Sequence, residues 1–170
     1  MKNYYLMTGC TGLLGRYLLR NYLQLDVPLA VLIRSTKLVS ARQRLDTIIG
    51  DLEQQLGRSL PRPVVLSGDL NAPGLGLSAE SRAWLRANAR GVIHNAASLS
   101  FESAPRTEEP WITNLGGTQQ VLEIARENGL LDFHHVSTAY VCGKRTGRVY
   151  EHELHVGQEF GNDYEHSKLL

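Results

Sequence analysis

Cysteine is nearly absent: of 170 residues only Cys10 and Cys142 carry thiols, and no C-x-x-C pair exists. That scarcity excludes a disulfide framework and a thiolate metal site, and it points to a reducing, cytoplasmic setting. An excess of charge is lacking too, since 18 Lys and Arg against 17 Asp and Glu leave a formal net of +1. With no long basic run, the chain has no electrostatic footprint for nucleic acid or for an anionic membrane. Apolar stretches stay far below the roughly eighteen residues a membrane helix needs, and the opening MKNYYLMTGC has no signal-length apolar core. Neither export nor a membrane span is expected, and no repeat or low-complexity linker interrupts the chain. What is there is a 42% hydrophobic sequence long enough for one domain with its own core.

Short apolar runs alternate with segments whose apolar residues recur at helical spacing, the pattern of βαβ units and a parallel sheet. Five strands are expected: Tyr4 to Met7, Ala30 to Ile33, Val64 to Ser67, Gly91 to His94, and Asp132 to Tyr140. Leu14, Leu18, Tyr22 and Leu25 mark a first helix, and Ala41, Leu45, Ile48, Ile49, Leu52 and Leu56 a longer second. Trp84 and Leu85 belong to a third, and a fourth runs from Pro110 to Asn128 and closes on Gly129. Right-handed crossovers turn this order into a doubly wound α/β sheet, a Rossmann fold, whose ligands sit beyond the strand carboxyl ends.

The motifs fall on that edge. Thr8-Gly9-Cys10-Thr11-Gly12-Leu13-Leu14-Gly15 joins the first strand to the first helix. Glycines there let the backbone turn tightly and let a pyrophosphate reach the free N–H groups of the helix start. The competing reading is an ordinary Gly-rich turn. An NAD-selective unit places Asp or Glu at the end of the second strand, about twenty residues on. Here that strand ends Ile33-Arg34-Ser35, and Asp26 lies at its wrong end. Arg34 is suited to fork onto a 2′-phosphate, with Arg44 or Lys37 as helpers, so NADPH is the expected cofactor. Asp69 and Leu70, after the third strand, are placed to frame an adenine edge, although Asp at such a position commonly caps a turn. Ala96 and Ala97, after the fourth, allow close backbone approach.

Tyr164 and Lys168 are four residues apart, which on a helix places phenol and ammonium on one face. An ammonium favours the ionised phenol. Thr138 brings a hydroxyl to the same sheet edge, so the three form a candidate proton-transfer set, with Tyr164 protonating a carbonyl oxygen during hydride delivery and Thr138 bonding that oxygen. The segment His152-Glu153-Leu154-His155 is one residue short of the zinc H-E-x-x-H pattern and has no third ligand nearby, so no metal is expected. His134 and His135 point to opposite faces of a strand and are read as structural.

Together, TGCTGLLG, GDL, HNAA, the N-x-x-G-T of Asn114 to Thr118, VSTAYV and YEHSK resemble the extended short-chain dehydrogenase/reductases over essentially the whole chain. The resemblance implies that Thr138, Tyr164 and Lys168 are catalytic, Lys168 also bonding the nicotinamide ribose. It implies that the glycine turn, Arg34, Asp69 and Leu70 hold NADPH, and that Ala96, Ala97 and Asn114 flank it. Thr138 stands where many relatives carry Ser. The helix after VLIRS, the GDLNAPGLGLS stretch and HNAASLSF look most like the thioester reductase and fatty acyl-CoA reductase branch. That branch reduces an acyl thioester, on coenzyme A or a carrier protein, to an aldehyde or alcohol. Extended members continue well past the Tyr/Lys helix, so residues 1–170 are expected to be a C-terminally truncated core without its substrate-binding portion, possessing or lacking activity of its own. A nucleotide-sugar epimerase or dehydratase, or another extended dehydrogenase such as a hydroxysteroid type, keeps the same core, and a non-catalytic dinucleotide sensor is the third reading.

Overall fold

The computed structural model describes residues 3–170. Its sheet comprises β1 (Tyr4–Thr8), β2 (Leu29–Ile33), β3 (Val64–Ser67), β4 (Ala89–His94) and β5 (Asp132–His135). All neighbours are parallel, in the order β3-β2-β1-β4-β5. The order reverses between β1 and β4, so a crevice opens beyond their carboxyl ends, where Thr8 and His94 stand side by side. The doubly wound α/β expectation is met.

Strand periodicity divides the interior into two layers. Met7, Val31, Ile33 and Ile93 face α1 (Leu13–Gln24) and α2 (Ala41–Leu56). Leu6, Ala30, Leu32 and Val92 face α3 (Ala79–Asn88) and α4 (Thr118–Glu127). Both faces of the central strands are therefore apolar, as a parallel sheet covered on two sides requires. Side chains fix most helix starts: Ser40 and Gln43 form a reciprocal capping box on α2, Ser78 caps α3, and Asn162 caps α5 (Asp163–Leu169). Gly57 and Gly129 take the left-handed conformation that closes α2 and α4.

Three expectations change. In α1 the fully buried positions are Gly15, Leu19 and Leu23, whereas Leu14 and Leu25 are exposed. The helix presses its glycine into the turn before it, and that contact rotates the Gly15 row toward the sheet. The fourth helix is not uniform: residues Ile112–Gly117 form a wider π-type turn that leads directly into α4. The fifth strand stops at His135 rather than Tyr140; Val136 still donates to the His94 carbonyl, after which Ala139–Cys142 coils into a 3-10 turn. Thr138 causes the change locally, because its hydroxyl accepts the Tyr140 N–H and satisfies in a turn the group a strand would pair.

Leu45, fully buried between α2 and the sheet, is expected to cost about 2–5 kcal/mol when cut to Ala. Leu131, 96% exposed, is expected to cost no more than about 0.5 kcal/mol. Urea unfolding of the two variants checks the placement of the core.

Candidate active site

The glycine turn brings two backbones into contact. Gly9 has φ +73°, and a Cβ there would lie 2.6 Å from the Ala96 nitrogen. A Cβ on Gly15 would lie 1.9 Å from the Gly9 carbonyl oxygen, well inside any tolerable contact. At Gly12 the nearest atom is 3.6 Å away, so this residue serves as the extended cap of α1 without crowding. Unlike α2, α3 and α5, α1 has no side-chain cap, and no acidic residue stands in its first turn. Its leading N–H groups and positive dipole end are left for an anion, which is what a dinucleotide's pyrophosphate requires.

From this turn runs a cleft of about 670 Å³. Of the residues singled out by sequence, it gathers Gly9, Thr11, Gly12, Leu13, Leu14, Gly15, Arg34, Arg44, Asp69, Leu70, Ala96, Ala97, Tyr164 and Lys168. Lys37, Asn114 and Thr138 are not in its lining. At one end Arg34 and Asp69 form an ion pair at 3.5 Å, with Arg34 two-thirds exposed. Arg44 reaches across from α2 to donate to the Arg34 carbonyl. Asp69 also accepts the Asn71 N–H at 3.1 Å, so it closes its own turn while facing the cleft.

The floor between β1 and β4 is a polar network that sequence reasoning missed. Thr8 Oγ1 accepts from the Asn95 and Ala96 N–H groups at 3.2 and 3.1 Å. Both lone pairs are then used, and the hydroxyl proton points to His94 Nδ1 at 2.7 Å. His94 must accept there and carry its own proton on Nε2, which donates to Thr118 Oγ1 at 3.0 Å. Burial, followed by the nearby His135 and Lys168, pushes the His94 imidazole down to about 3, so it stays neutral. Asn95 Nδ2 donates to the Gly9 carbonyl at 3.2 Å and ties the network to the glycine turn. A buried Thr opposite a buried His in adjacent strands was the available signal. The same low dielectric pushes the Cys10 thiol up to about 12, which leaves it unreactive at neutral pH.

At the other end α5 presents Tyr164 and Lys168, both largely buried. Asn162 Oδ1 accepts the Glu165 N–H at 2.9 Å and starts the helix at the residue that puts both side chains toward the sheet. Lys168 Nζ donates to the Val136 carbonyl at 3.0 Å, and burial holds its ammonium below the usual lysine range. Phe101 packs edge-on against the Tyr164 ring at 5.2 Å. Ser137, not chosen from sequence, lines the cleft, whereas its neighbour Thr138 sits at the start of the 3-10 turn. Asn114 is a brace: its Oδ1 accepts the Ser98 N–H at 2.8 Å, and its Nδ2 donates to the Ser98 carbonyl and to Ser167 Oγ at 3.1 and 3.0 Å. It joins the exit of β4 to α5 from the π-type turn. Among the described residues no group of three or more His, Cys, Asp or Glu is arranged to hold a metal ion, and no helix is long and apolar enough to cross a membrane. Glu153 of the His152–His155 segment pairs instead with Arg145 at 3.1 Å.

An NAD-binding family described as Male sterility protein matches residues 7–170. The chain belongs to that family. Its fold is that of the extended short-chain dehydrogenase/reductases, and membership indicates a nicotinamide dinucleotide as cofactor. Similar proteins include the fatty acyl-CoA reductase wat of Drosophila melanogaster, 29% identical over 148 residues that are 82% of this chain and 28% of that protein. Polyketide synthase-nonribosomal peptide synthetase ffsA of Aspergillus flavipes is 36% identical over 135 residues, 79% of this chain and 3% of that protein. Among solved structures, the terminal R domain from the myxalamid PKS-NRPS biosynthetic pathway superposes with TM-score 0.77 at 28% identity, over 98% of this chain and 43% of that one. A UDP-Glc/GlcNAc 4-epimerase from Campylobacter jejuni, 24% identical with TM-score 0.69, shares the fold. This family member thus spans less than half the length of these relatives.

Two outcomes are expected. Gly15→Ala forces a methyl against the Gly9 carbonyl and abolishes dinucleotide binding, whereas Gly50→Ala, with no atom within 4 Å, leaves binding intact and stabilises α2 by up to about 1 kcal/mol. Nucleotide titration and thermal melting read both. The neutral His94 has a folded value near 3 against an unfolded 6.5, so the unfolded chain takes up the proton first and stability falls as pH drops from 6.5 toward 3. The full window corresponds to roughly 5 kcal/mol. Urea unfolding of His94→Asn is expected to show a shallower decline between about pH 6.5 and pH 4; identical slopes would refute the neutral assignment.

Proposed function

We propose that this chain is the cofactor-binding and proton-donating core of an NADPH-dependent reductase that takes an acyl thioester to an aldehyde or alcohol. The observation that carries the reading is the cleft itself, in which the uncapped glycine turn and the buried Tyr164 and Lys168 line one continuous space.

For cofactor choice, Arg34 follows directly on β2 and no carboxylate stands in the strand's exit, while Arg44 stands behind. Two guanidiniums at the adenosine end suit a 2′-phosphate, and Asp69 and Leu70 suit the adenine edge. Gly9, Thr11, Gly12, Leu13, Leu14 and Gly15 would hold the pyrophosphate, and Ala96 and Ala97 the ribose-side backbone approach. A bound dinucleotide would supply a hydride to the carbonyl carbon, and the coenzyme A or carrier thiol would leave as the resulting hemithioacetal collapses to the aldehyde. Tyr164 holds the proton that the carbonyl oxygen gains, and Lys168 places a positive charge beside that phenol and would bond the nicotinamide ribose. Hydroxyls at Ser137 and Thr138 bracket the strand exit; Thr138 takes the oxyanion-donor role, and Asn114 holds α5 to β4. Residues 1–170 make up the NADP-binding unit with its catalytic helix, and substrate selection falls to polypeptide beyond them, as the greater length of the relatives supports.

The acyl donor is a coenzyme A or carrier-protein thioester; a relative named as a fatty acyl-CoA reductase and others named as synthetase reductase domains support that class. Cysteines that are free in the fold support a cytoplasmic location.

The complete natural polypeptide, mixed with NADPH or NADH and a panel of acyl-CoAs, carrier-protein thioesters and aldehydes, is expected to consume NADPH preferentially and to release aldehyde or alcohol. Tyr164→Phe is expected to lower kcat by at least about 100-fold, the usual worth of a positioned proton donor. Arg34→Ala is expected to raise the NADPH KM roughly 10-fold to 100-fold with little change for NADH. Wild-type turnover by Tyr164→Phe would end the mechanism, and equal losses for both nucleotides would end the assignment of Arg34.

A further inference from the structure

Lys168 of the catalytic helix meets two imidazoles, His94 and His135, and His135 is the one with no role above. Lys168 Nζ lies 3.0 Å from the Val136 carbonyl oxygen and 3.5 Å from His135 Nε2. An ammonium has three protons and no lone pair, so His135 can only accept from it. That fixes the His135 tautomer, with the ring proton on Nδ1 and the lone pair on Nε2. One Lys168 proton goes to Val136, one to His135, and the third is left for the cleft that Lys168 lines. We propose that His135 is a positioning residue for Lys168: as a neutral base it aims the ammonium into the cleft, and on taking a proton it repels it.

The surroundings of His135 favour the neutral form. Its ring stacks on His94 at 5.2 Å between centroids and 27° between planes. Among the described residues, the titratable groups against it are His94 from β4, kept neutral first by its burial, and Lys168 from α5; Thr118 at the start of α4 is uncharged. Burial first, then the Lys168 charge, hold the imidazole below its ordinary 6.5. At neutral pH the pair is therefore ammonium and neutral acceptor. As pH falls through the His135 value the second proton would set two cations 3.5 Å apart, one of them the buried Lys168 ammonium. The aligned state exists above that pH and is lost below it. His134, its neighbour, cannot substitute, because it lies on the opposite face and bonds Asp132 at 2.9 Å.

This inference rests on the role given to Lys168 above. It is tested with the complete polypeptide carrying His135→Leu, which removes the acceptor, or His135→Gln, which keeps an acceptor that never charges. Two readouts are taken from about pH 5 to pH 8: the NADPH dissociation constant, and the rate at which acetic anhydride labels Lys168, followed by mass spectrometry. His135→Leu is expected to weaken NADPH about tenfold at every pH and to speed Lys168 labelling several-fold. His135→Gln is expected to recover most of the affinity lost by His135→Leu, and to lack the additional acid weakening of the wild type. The 2′-phosphate also titrates near pH 6, but it contributes equally to both proteins and cancels in their ratio. Parallel wild-type and His135→Gln profiles, or Lys168 labelling unaffected by His135→Leu, would overturn the proposal. If no protein bound NADPH at any pH, the functional reading would fall, and the labelling rates would still decide whether His135 sets the state of Lys168.

Discussion

The closest constraint in this chain is steric: at Gly9 and Gly15 two stretches of backbone approach within distances that admit no side chain. Because Gly15 seats α1 on the turn, the helix axis points its uncapped N-terminus at the crevice between β1 and β4. The rotation of α1, and with it the burial of Leu19 and Leu23, follows from the same contact. Its energetic benefit comes from the apolar layer beneath, and its chemical benefit from the N–H groups it leaves unpaired.

A second dependence is polar. Buried Thr8 and His94, with half-buried Thr118, form a chain of donors and acceptors that links β1, β4 and the start of α4. Thr8 also holds the two amides that shape the exit of β4, so Ala96 stands at the distance Gly9 requires. Asn114 performs the analogous service between β4 and α5. Networks of this sort are costly if one member is unsatisfied, and that cost makes them specify a single arrangement. The glycine-turn side and the Tyr164–Lys168 side of the cleft are thereby linked through backbone positions rather than through direct contact. His135, stacked on His94 and bonded to Lys168, extends the coupling to the ammonium.

The legible part of the sequence was the local part. Strand periodicity, the glycine spacing and the four-residue interval of Tyr164 and Lys168 depend on neighbours a few residues away, and each placed its residues on the correct edge of the sheet. The sequence alone misplaced the face of α1, ran β5 on to Tyr140, and could not tell that Ser137 lines the cleft while Thr138 begins a turn. It also could not pair His135 with Lys168, because that partner stands 33 positions later.

What the amino-acid order determined by itself was the alternation of elements, the sign and position of the candidate groups, and the family. What only the tertiary structure decided was pairing: Arg34 with Asp69, Thr8 with His94, Asn114 with Ser167, Lys168 with His135. The physical reason is that spacing fixes the direction of a side chain relative to its own helix or strand, whereas proton position, burial and charge state depend on atoms supplied by segments far along the chain.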